Sequence, residues 1–291
     1  MPDSVQEKIS LVPFLKWAGG KSKLIHHYKK YFPKEGFNHY YEPFLGGGAI
    51  FFYLRPNSAI LSDINSDLIE TYQCVKDKVE ELIIELRKHQ INHDADTTKI
   101  HKYYYDIRSS SYTTPIERAA RLIYLNRTCF NGLYRVNSEG QFNVPIGRYK
   151  NPKICNEGLL RDASVALQSA QLEVRHFKEI LNYAKTRDDF VYFDPPYHPL
   201  NHTSYFTAYN SCSFNEDDQK QLRDIFAQLA SRGVKVMLSN SDCQFIRGLY
   251  TDSQVFSSQN LPKINEILAP RAINSDTSKR GKISELLITS Y

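Results

Sequence analysis

Phe190-Val191-Tyr192-Phe193-Asp194-Pro195-Pro196-Tyr197 is the stretch from which the fold can be read. Four consecutive apolar or aromatic residues ending abruptly in Asp-Pro-Pro describe a buried strand that delivers a carboxylate to the carboxyl edge of a sheet. That edge is where α/β proteins bind ligands. The two prolines stop the strand and remove two N–H groups, so the nearby carbonyls are left as acceptors. A flat heterocycle bearing an exocyclic amino group offers matching donors, and the ring of Tyr197 offers a face for stacking. The plainer alternative is an ordinary Pro-rich turn in which Asp194 caps the next element.

Working outward, the same architecture recurs upstream. Tyr40-Tyr41-Glu42-Pro43-Phe44-Leu45-Gly46-Gly47-Gly48 followed by Ala49-Ile50-Phe51-Phe52 reads as a strand, a glycine-rich turn and a helix. A nucleoside-bearing cofactor approaches the backbone closely in such a turn. The next strand, Ala59-Ile60-Leu61-Ser62, ends in Asp63, about 15 to 20 residues downstream, the position of a ribose-binding acid in Rossmann-like units. Asp63 could instead cap the helix expected over Ser66 to Val79, although Ser66 is itself a suitable cap. Nearer the start, Trp17-Ala18-Gly19-Gly20-Lys21-Ser22 combines a backbone bend with a cation at a helix start, an anion-cradling arrangement. It lacks the spacing of a Walker loop.

Between the two motifs lies a charged block. From Lys99 to Arg161 there are eleven Lys or Arg and four acids, a surplus of seven, while the whole chain of 291 residues carries +5 and the remainder therefore −2. Tyrosines and phenylalanines are interleaved with these charges, a mixture suited to phosphates and bases. A solvated helical face over a tyrosine-rich core is the competing explanation. Turn signals at Asn131-Gly132, Ser138 to Gln141 and Pro145 to Gly147 bracket two short strands, Tyr134 to Asn137 and Phe142 to Val144. The resulting hairpin would present Arg135, Arg148, Tyr149 and Lys150, and a two-stranded ribbon is slim enough to enter a DNA major groove.

The remaining elements are conventional. Apolar residues at helical spacing cover Leu68 to Lys88, a polar linker spans Asn92 to Lys99, and helices are expected over Ile116 to Leu125, Leu159 to Leu167 and Glu216 to Leu229, the last capped by Asn215. Strands are expected at Leu172 to Arg175, Val234 to Leu238 and Ile283 to Ile288. His198 to Tyr209 reads as a lid, and Arg271, Lys279, Arg280 and Lys282 as a basic loop able to touch phosphate. Five scattered cysteines without a CxxC pair argue against zinc and disulfides. With no apolar run of spanning length and no signal-peptide core at the start, a cytoplasmic protein is expected.

Taken in order, Lys16-Trp-Ala-Gly-Gly-Lys21, Glu42-Pro-Phe-Leu-Gly-Gly-Gly48, Asp63-Ile-Asn-Ser-Asp67, Leu125-Asn-Arg127, Asn131-Gly-Leu133, Phe142-Asn-Val-Pro145, Gly147-Arg-Tyr-Lys150, Asp194-Pro-Pro-Tyr197 and Phe206-Thr-Ala-Tyr209 resemble the Dam-type DNA adenine methyltransferases. The likeness runs from about Pro13 nearly to the C terminus. It implies a Rossmann-like α/β methyltransferase sheet, built from residues 1–67 and 165–291, with an inserted helical, hairpin-bearing target-recognition domain over 68–164. It further implies methyl transfer from S-adenosylmethionine to N6 of adenine in double-stranded DNA, with GATC as the expected site, a monomeric enzyme, no metal and no membrane.

By the same resemblance, Trp17 and Lys21 hold the methionine end of the cofactor, Phe44 and Gly46 line its adenosine, and Asp63 binds its ribose. Asp194 serves both cofactor and target. Lys16, Asn131, Leu133, Arg135, Pro145 and Tyr149 are expected to contact base edges or neighbouring phosphates, with Arg127 and Arg148 beside them. Phe130 stands where the family often places a tyrosine that wedges into the duplex, so it keeps the stacking face and lacks the hydroxyl. The expected mechanism flips the adenine out of the duplex. Asp194 and the Pro195 carbonyl then accept from the amino group, Pro196 stiffens the turn, and Tyr197 holds the ring. The rival readings are an adenine methyltransferase of another DNA site or of RNA, and a DNA-binding protein without catalysis. Intact Lys21, Asp63 and Asp194 to Tyr197 speak against the last.

Overall fold

In the computed structural model the described residues are 11–95, 100–200, 214–257, 260–270 and 282–291. Seven strands form one sheet: β1 (His39–Glu42), β2 (Ala59–Asp63), β3 (Ala170–Val174), β4 (Asp189–Phe193), β5 (Lys235–Ser241), β6 (Lys263–Pro270) and β7 (Lys282–Thr289). Their order is β3-β2-β1-β4-β5-β7-β6. Strands β1 to β5 pair in parallel, and β7 lies antiparallel between β5 and β6. The order reverses between β1 and β4, which makes the carboxyl ends of those two strands the crevice for a ligand. Both sequence motifs, Glu42 to Gly48 and Asp194 to Tyr197, leave the sheet at that crevice. This is the mixed α/β, Rossmann-like arrangement expected for a methyltransferase.

Strand alternation distributes the core over the two faces. Phe190 and Tyr192 of β4 join Met237 and Leu287 on one face, while Val191 and Phe193 join Val236, Leu238, Leu286 and Ile288 on the other. Every residue of β4 is buried, as a strand covered on both faces should be. The first face is covered by α1 (Ile25–Tyr28), α2 (Ala49–Leu54) and α3 (Ser66–Asp77), and that core continues into α4 (Val79–Asp94), α5 (Ile100–Ser109), α6 (Pro115–Thr128) and α7 (Glu157–Leu167). The second is covered by α8 (Glu216–Ser231) and α9 (Gln244–Tyr250). No helix of the described residues is long and apolar enough to cross a membrane.

Several boundaries differ from those read in the sequence. The helix expected over Ser66 to Val79 stops at Lys78, whose backbone leaves the helical region, and α4 restarts at Val79. Its cap is Asn65, which accepts from the Leu68 N–H, and not Ser66. The expected linker from Asn92 is still helix as far as Asp94, because His93 is buried against the Tyr124 ring; residues 96–99 lie outside the described residues. Asn215 caps α8 as expected, with Asp218 completing a reciprocal capping box. Most of the lid stretch (residues 201–209, with Phe206-Thr-Ala-Tyr209), together with Lys99, Arg271, Lys279 and Arg280, lies outside the described residues.

The hairpin is the largest structural correction. The backbones of Tyr134 to Asn137 and Phe142 to Val144 pair through the Val136–Phe142 bridge and two flanking hydrogen bonds alone, Asn143 N–H to Arg135 O and Asn137 N–H to Gln141 O. It is a returning loop and not a two-stranded ribbon. Short strands with few cross-strand pairs do not sustain a ladder of their own.

Candidate active site

Asp194 follows β4 directly. Its Oδ1 receives Lys21 Nζ at 2.7 Å and the Ser239 hydroxyl at 2.8 Å. Ser239 lies on β5, one strand over, and also exchanges a hydrogen bond of 2.9 Å with Tyr192. The Lys21 side chain is 3 % exposed, and its ammonium also donates to Gly19 O at 2.5 Å. The lysine expected to cradle an external anion is therefore engaged with the Asp194 carboxylate. Taking an ammonium out of water requires such a partner.

Tyr197 is half-buried, with its hydroxyl donating to Glu285 Oε2 at 3.2 Å and Lys21 Nζ 4.7 Å from its ring centroid. Tyr28 donates to the other oxygen of Glu285. Burial pushes the Tyr28, Tyr192 and Tyr197 hydroxyls well above the ordinary tyrosine range, so all three act as neutral donors. Burial likewise raises the Glu285 carboxyl, against the opposing pull of Lys21. Of the two prolines, Pro195 is buried and Pro196 exposed. The Pro196 carbonyl accepts from Gln219 Nε2 at 3.0 Å, so one of the acceptors left by the proline pair is already used. Gln219 is fixed in turn by Asn240, which also receives the His198 N–H.

One strand over from Asp194, the glycine turn is tightly built. Gly46 has φ +46°, and a β-carbon there would lie 2.7 Å from Trp17 Cδ1, so the indole packs directly on bare backbone. The Asp63 carboxylate accepts from Gly46 N–H at 3.1 Å and Asn65 N–H at 3.0 Å, which joins the end of β2 to the turn. Burial raises the Asp63 carboxyl and these N–H groups oppose the shift. Ile64, 68 % exposed, leaves an apolar surface beside it. An acid at the strand end, a glycine turn packed beneath the Trp17 indole and adjacent apolar surface fit a nucleoside. Phe44 is stacked on Phe177 at 5.2 Å and edge-on to Phe193.

Glu42, at the end of β1, is buried, and its Oε2 accepts from the Tyr40 hydroxyl at 2.7 Å and the Phe51 N–H at 3.2 Å. Burial pushes its carboxyl up to about 8, against those two hydrogen bonds, with Asp194 adding to the rise.

The residues expected at DNA gather round the loop from Cys129 to Lys150. Phe130 N–H donates to Pro145 O, Gly147 N–H donates to Thr128 O, and Lys16 Nζ lies 4.0 Å from the Tyr149 ring centroid. Phe130 is 50 % exposed, Asn131 adopts φ +55°, and Pro145 and Arg148 are exposed. Arg135 is exposed and held by Asn143, through Nε to Oδ1 at 2.6 Å. Leu133 packs partly against the core. Arg127 has a different setting: its Nη2 donates to Phe14 O at 2.7 Å and burial lowers its guanidinium from the ordinary range.

Much of the basic surplus is likewise taken up by partners within the protein, some of them at its surface. Arg118 grips Glu70 of α3 with two hydrogen bonds, Arg121 donates to the Ile107 and Arg108 carbonyls, and Arg161 pairs with Glu80. Tyr104 and Tyr124 are fully buried. Lys102, Arg135, Arg148, Lys150 and Lys153 keep an exposed charge. The tyrosine-rich core set against the DNA-face reading thus accounts for part of the composition, and the exposed loop for the rest.

Sequence reading missed Ser239, Gln219, Asn240, Glu285 and Tyr134. Tyr134 stacks on Trp17 at 5.6 Å and donates to Asp67 at 3.0 Å, joining the loop to the glycine turn. Asn126, noticed only within a motif, accepts from Lys16 N–H and donates to Lys16 O and Gly132 O. A polar residue inside a strongly apolar strand was the one available signal for Glu285.

A family model for D12 class N6 adenine-specific DNA methyltransferases matches residues 17–267. The chain is 45 % identical to the Type II methyltransferase M1.LlaDCHI of Lactococcus lactis subsp. cremoris, over 98 % of each chain. It is 42 % identical to the Type II methyltransferase M.MjaIII of Methanocaldococcus jannaschii, over 96 % of this chain and 99 % of that one. The DNA adenine methylase of Escherichia coli K12 is 36 % identical, over 94 % of this chain and 93 % of its own. With the glycine turn and the Asp194 carboxylate side by side at the switch point of its sheet, the chain belongs to the D12 class of N6 adenine-specific DNA methyltransferases.

Proposed function

We propose that this methyltransferase modifies adenine within GATC in double-stranded DNA, with S-adenosylmethionine as donor and residues 68–164 as the recognition unit. The observation that carries the reading is the Asp194 carboxylate, fixed by Lys21 and Ser239 at the carboxyl end of β4 beside the glycine turn. A carboxylate there can accept from an amino group whose lone pair is otherwise delocalised into its ring. When bound, the cofactor supplies a methyl group on a sulfonium centre. Trp17, Lys21, Phe44, Gly46 and Asp63 are the residues to hold it.

A base inside a duplex cannot reach Asp194, so the adenine rotates out, at a cost on the order of a few kcal/mol. Asp194 and the Pro195 carbonyl accept its two amino hydrogens and draw the nitrogen towards tetrahedral geometry. Tyr197 holds the ring by stacking. The proton released on transfer leaves through Asp194 to water. Positioning and electrostatics supply the catalysis. Sequence choice is assigned to Lys16, Phe130, Asn131, Leu133, Arg135, Pro145 and Tyr149 together with Arg148, by their resemblance to the family pattern. Arg127 is better suited to bracing the Phe14 segment than to touching a base.

The test is incubation with labelled S-adenosylmethionine and duplexes containing GATC, a scrambled site or GATATC, followed by digestion to nucleosides. N6-methyladenine in the GATC duplex alone is expected. Label confined to the longer site would keep the chemistry and overturn the recognition assignment.

A further inference from the structure

Glu285 stands in β7 beside Leu286, Leu287 and Ile288, all fully buried, and is itself only 8 % exposed. A carboxylate in such a run costs burial energy that a leucine would not, so its retention needs a local reason. The antiparallel register sets Glu285 opposite Ser241, at the end of β5 that carries Ser239 and Asn240. From there its two oxygens reach different tyrosines: Oε1 takes the Tyr28 hydroxyl and Oε2 takes the Tyr197 hydroxyl at 3.2 Å. Tyr28 packs edge-on against Tyr192, whose hydroxyl meets Ser239, the partner of Asp194.

We propose that Glu285 is a positioning residue for methyl transfer, acting through Tyr197. A tyrosine on a turn has freedom about two side-chain bonds. Fastening its hydroxyl to a strand fixes the plane of the ring, and with it the plane in which a stacked base presents its amino group to Asp194. The bond from Tyr28 to the other oxygen holds the carboxylate, so neither tyrosine can turn it away from the other. The inference rests on the proposed stacking of the target base on Tyr197.

The experiment is a double-mutant cycle on the intact enzyme, reading kcat, DNA Kd and folded fraction for Glu285→Leu, Tyr197→Phe, the pair, and Glu285→Gln. Each of Glu285→Leu and Tyr197→Phe is expected to lower kcat by about 10- to 100-fold, with DNA Kd unchanged. The pair should be no worse than either alone, and Glu285→Gln, which keeps an acceptor, should recover most of the rate. Independent losses that multiply in the pair, or a wild-type kcat for Tyr197→Phe, would overturn the proposal; the latter arm decides even if Glu285→Leu does not fold. Failure of the underlying reading looks different: the wild-type enzyme would then transfer no methyl group to adenine, which overturns both.

Discussion

At the carboxyl edge of the sheet two bonded groups, Lys21–Asp194–Ser239–Tyr192 and Tyr28–Glu285–Tyr197, meet through the Tyr28–Tyr192 and Lys21–Tyr197 contacts, while along the loop from Cys129 to Lys150 the charged and aromatic groups stand largely exposed. The contrast fits the roles proposed for the two regions. Chemistry needs groups already fixed before the substrate arrives, because reorganising them later adds to the barrier. Recognition needs groups whose hydrogen-bonding capacity is still available to a partner. The two regions are fastened through the segment from Lys16 to Lys21: Asn126 clasps the Lys16 backbone, Trp17 packs on Gly46 and stacks on Tyr134, and Lys21 ends at Asp194.

The largest effect should come from breaking the buried end of this contrast. Asp194→Ala should abolish transfer, measured as label in nucleosides. It also strands the Lys21 ammonium, a loss of up to about 3 to 5 kcal/mol for a buried pair, reduced because the Asp194 side chain is 21 % exposed. The stability loss should show as a lower midpoint in urea, and adding Lys21→Met should restore much of it.

A second test sharpens the picture of the edge as a dry site. The Glu42 carboxyl, ordinarily near 4.5, is pushed up to about 8 in the folded protein. Between those values the folded state holds a proton that the unfolded state releases. Glu42 therefore reduces stability as pH rises from about 4.5 to about 8, by at most about 1.4 kcal/mol per pH unit, with no further loss above. Glu42→Gln, which keeps an oxygen for Tyr40 and Phe51, should remove this contribution. Its stability relative to wild type should climb across that window, and equal pH profiles would contradict the assignment.

The smallest effect belongs to the exposed loop. Arg135→Ala should relax choice at one base pair by about 1 to 3 kcal/mol, read as relative kcat/KM on single-substitution duplexes, with little change in stability. A uniform loss on all sequences would make Arg135 a phosphate contact.

The difference between the regions also explains what could be read from the sequence. Strand β4 was legible because four consecutive buried positions, Phe190 to Phe193, leave a continuous apolar run, and the glycine turn because its glycines meet a backbone need. Ser239, Gln219 and Glu285 were not legible, since a polar residue on β5, α8 or β7 gains meaning only when the fold brings it to the turn from Asp194 to Tyr197. Charge counting found the basic block but could not tell Arg118, Arg121 and Arg161, which bind protein acids and carbonyls, from Arg148 and Lys150, which remain exposed. The hairpin was over-read because turn signals predict the reversal of the chain and not how many cross-strand bonds survive it.

The separation of chemistry from recognition is tested most directly by the affinity of Lys21→Met/Asp194→Ala for the GATC duplex and for a scrambled one. The double variant should prefer GATC over the scrambled duplex by the wild-type factor, with whatever affinity the lost Asp194 contact removes taken from both duplexes alike, while transferring nothing. Loss of that preference would place sequence choice at the sheet edge and contradict the account.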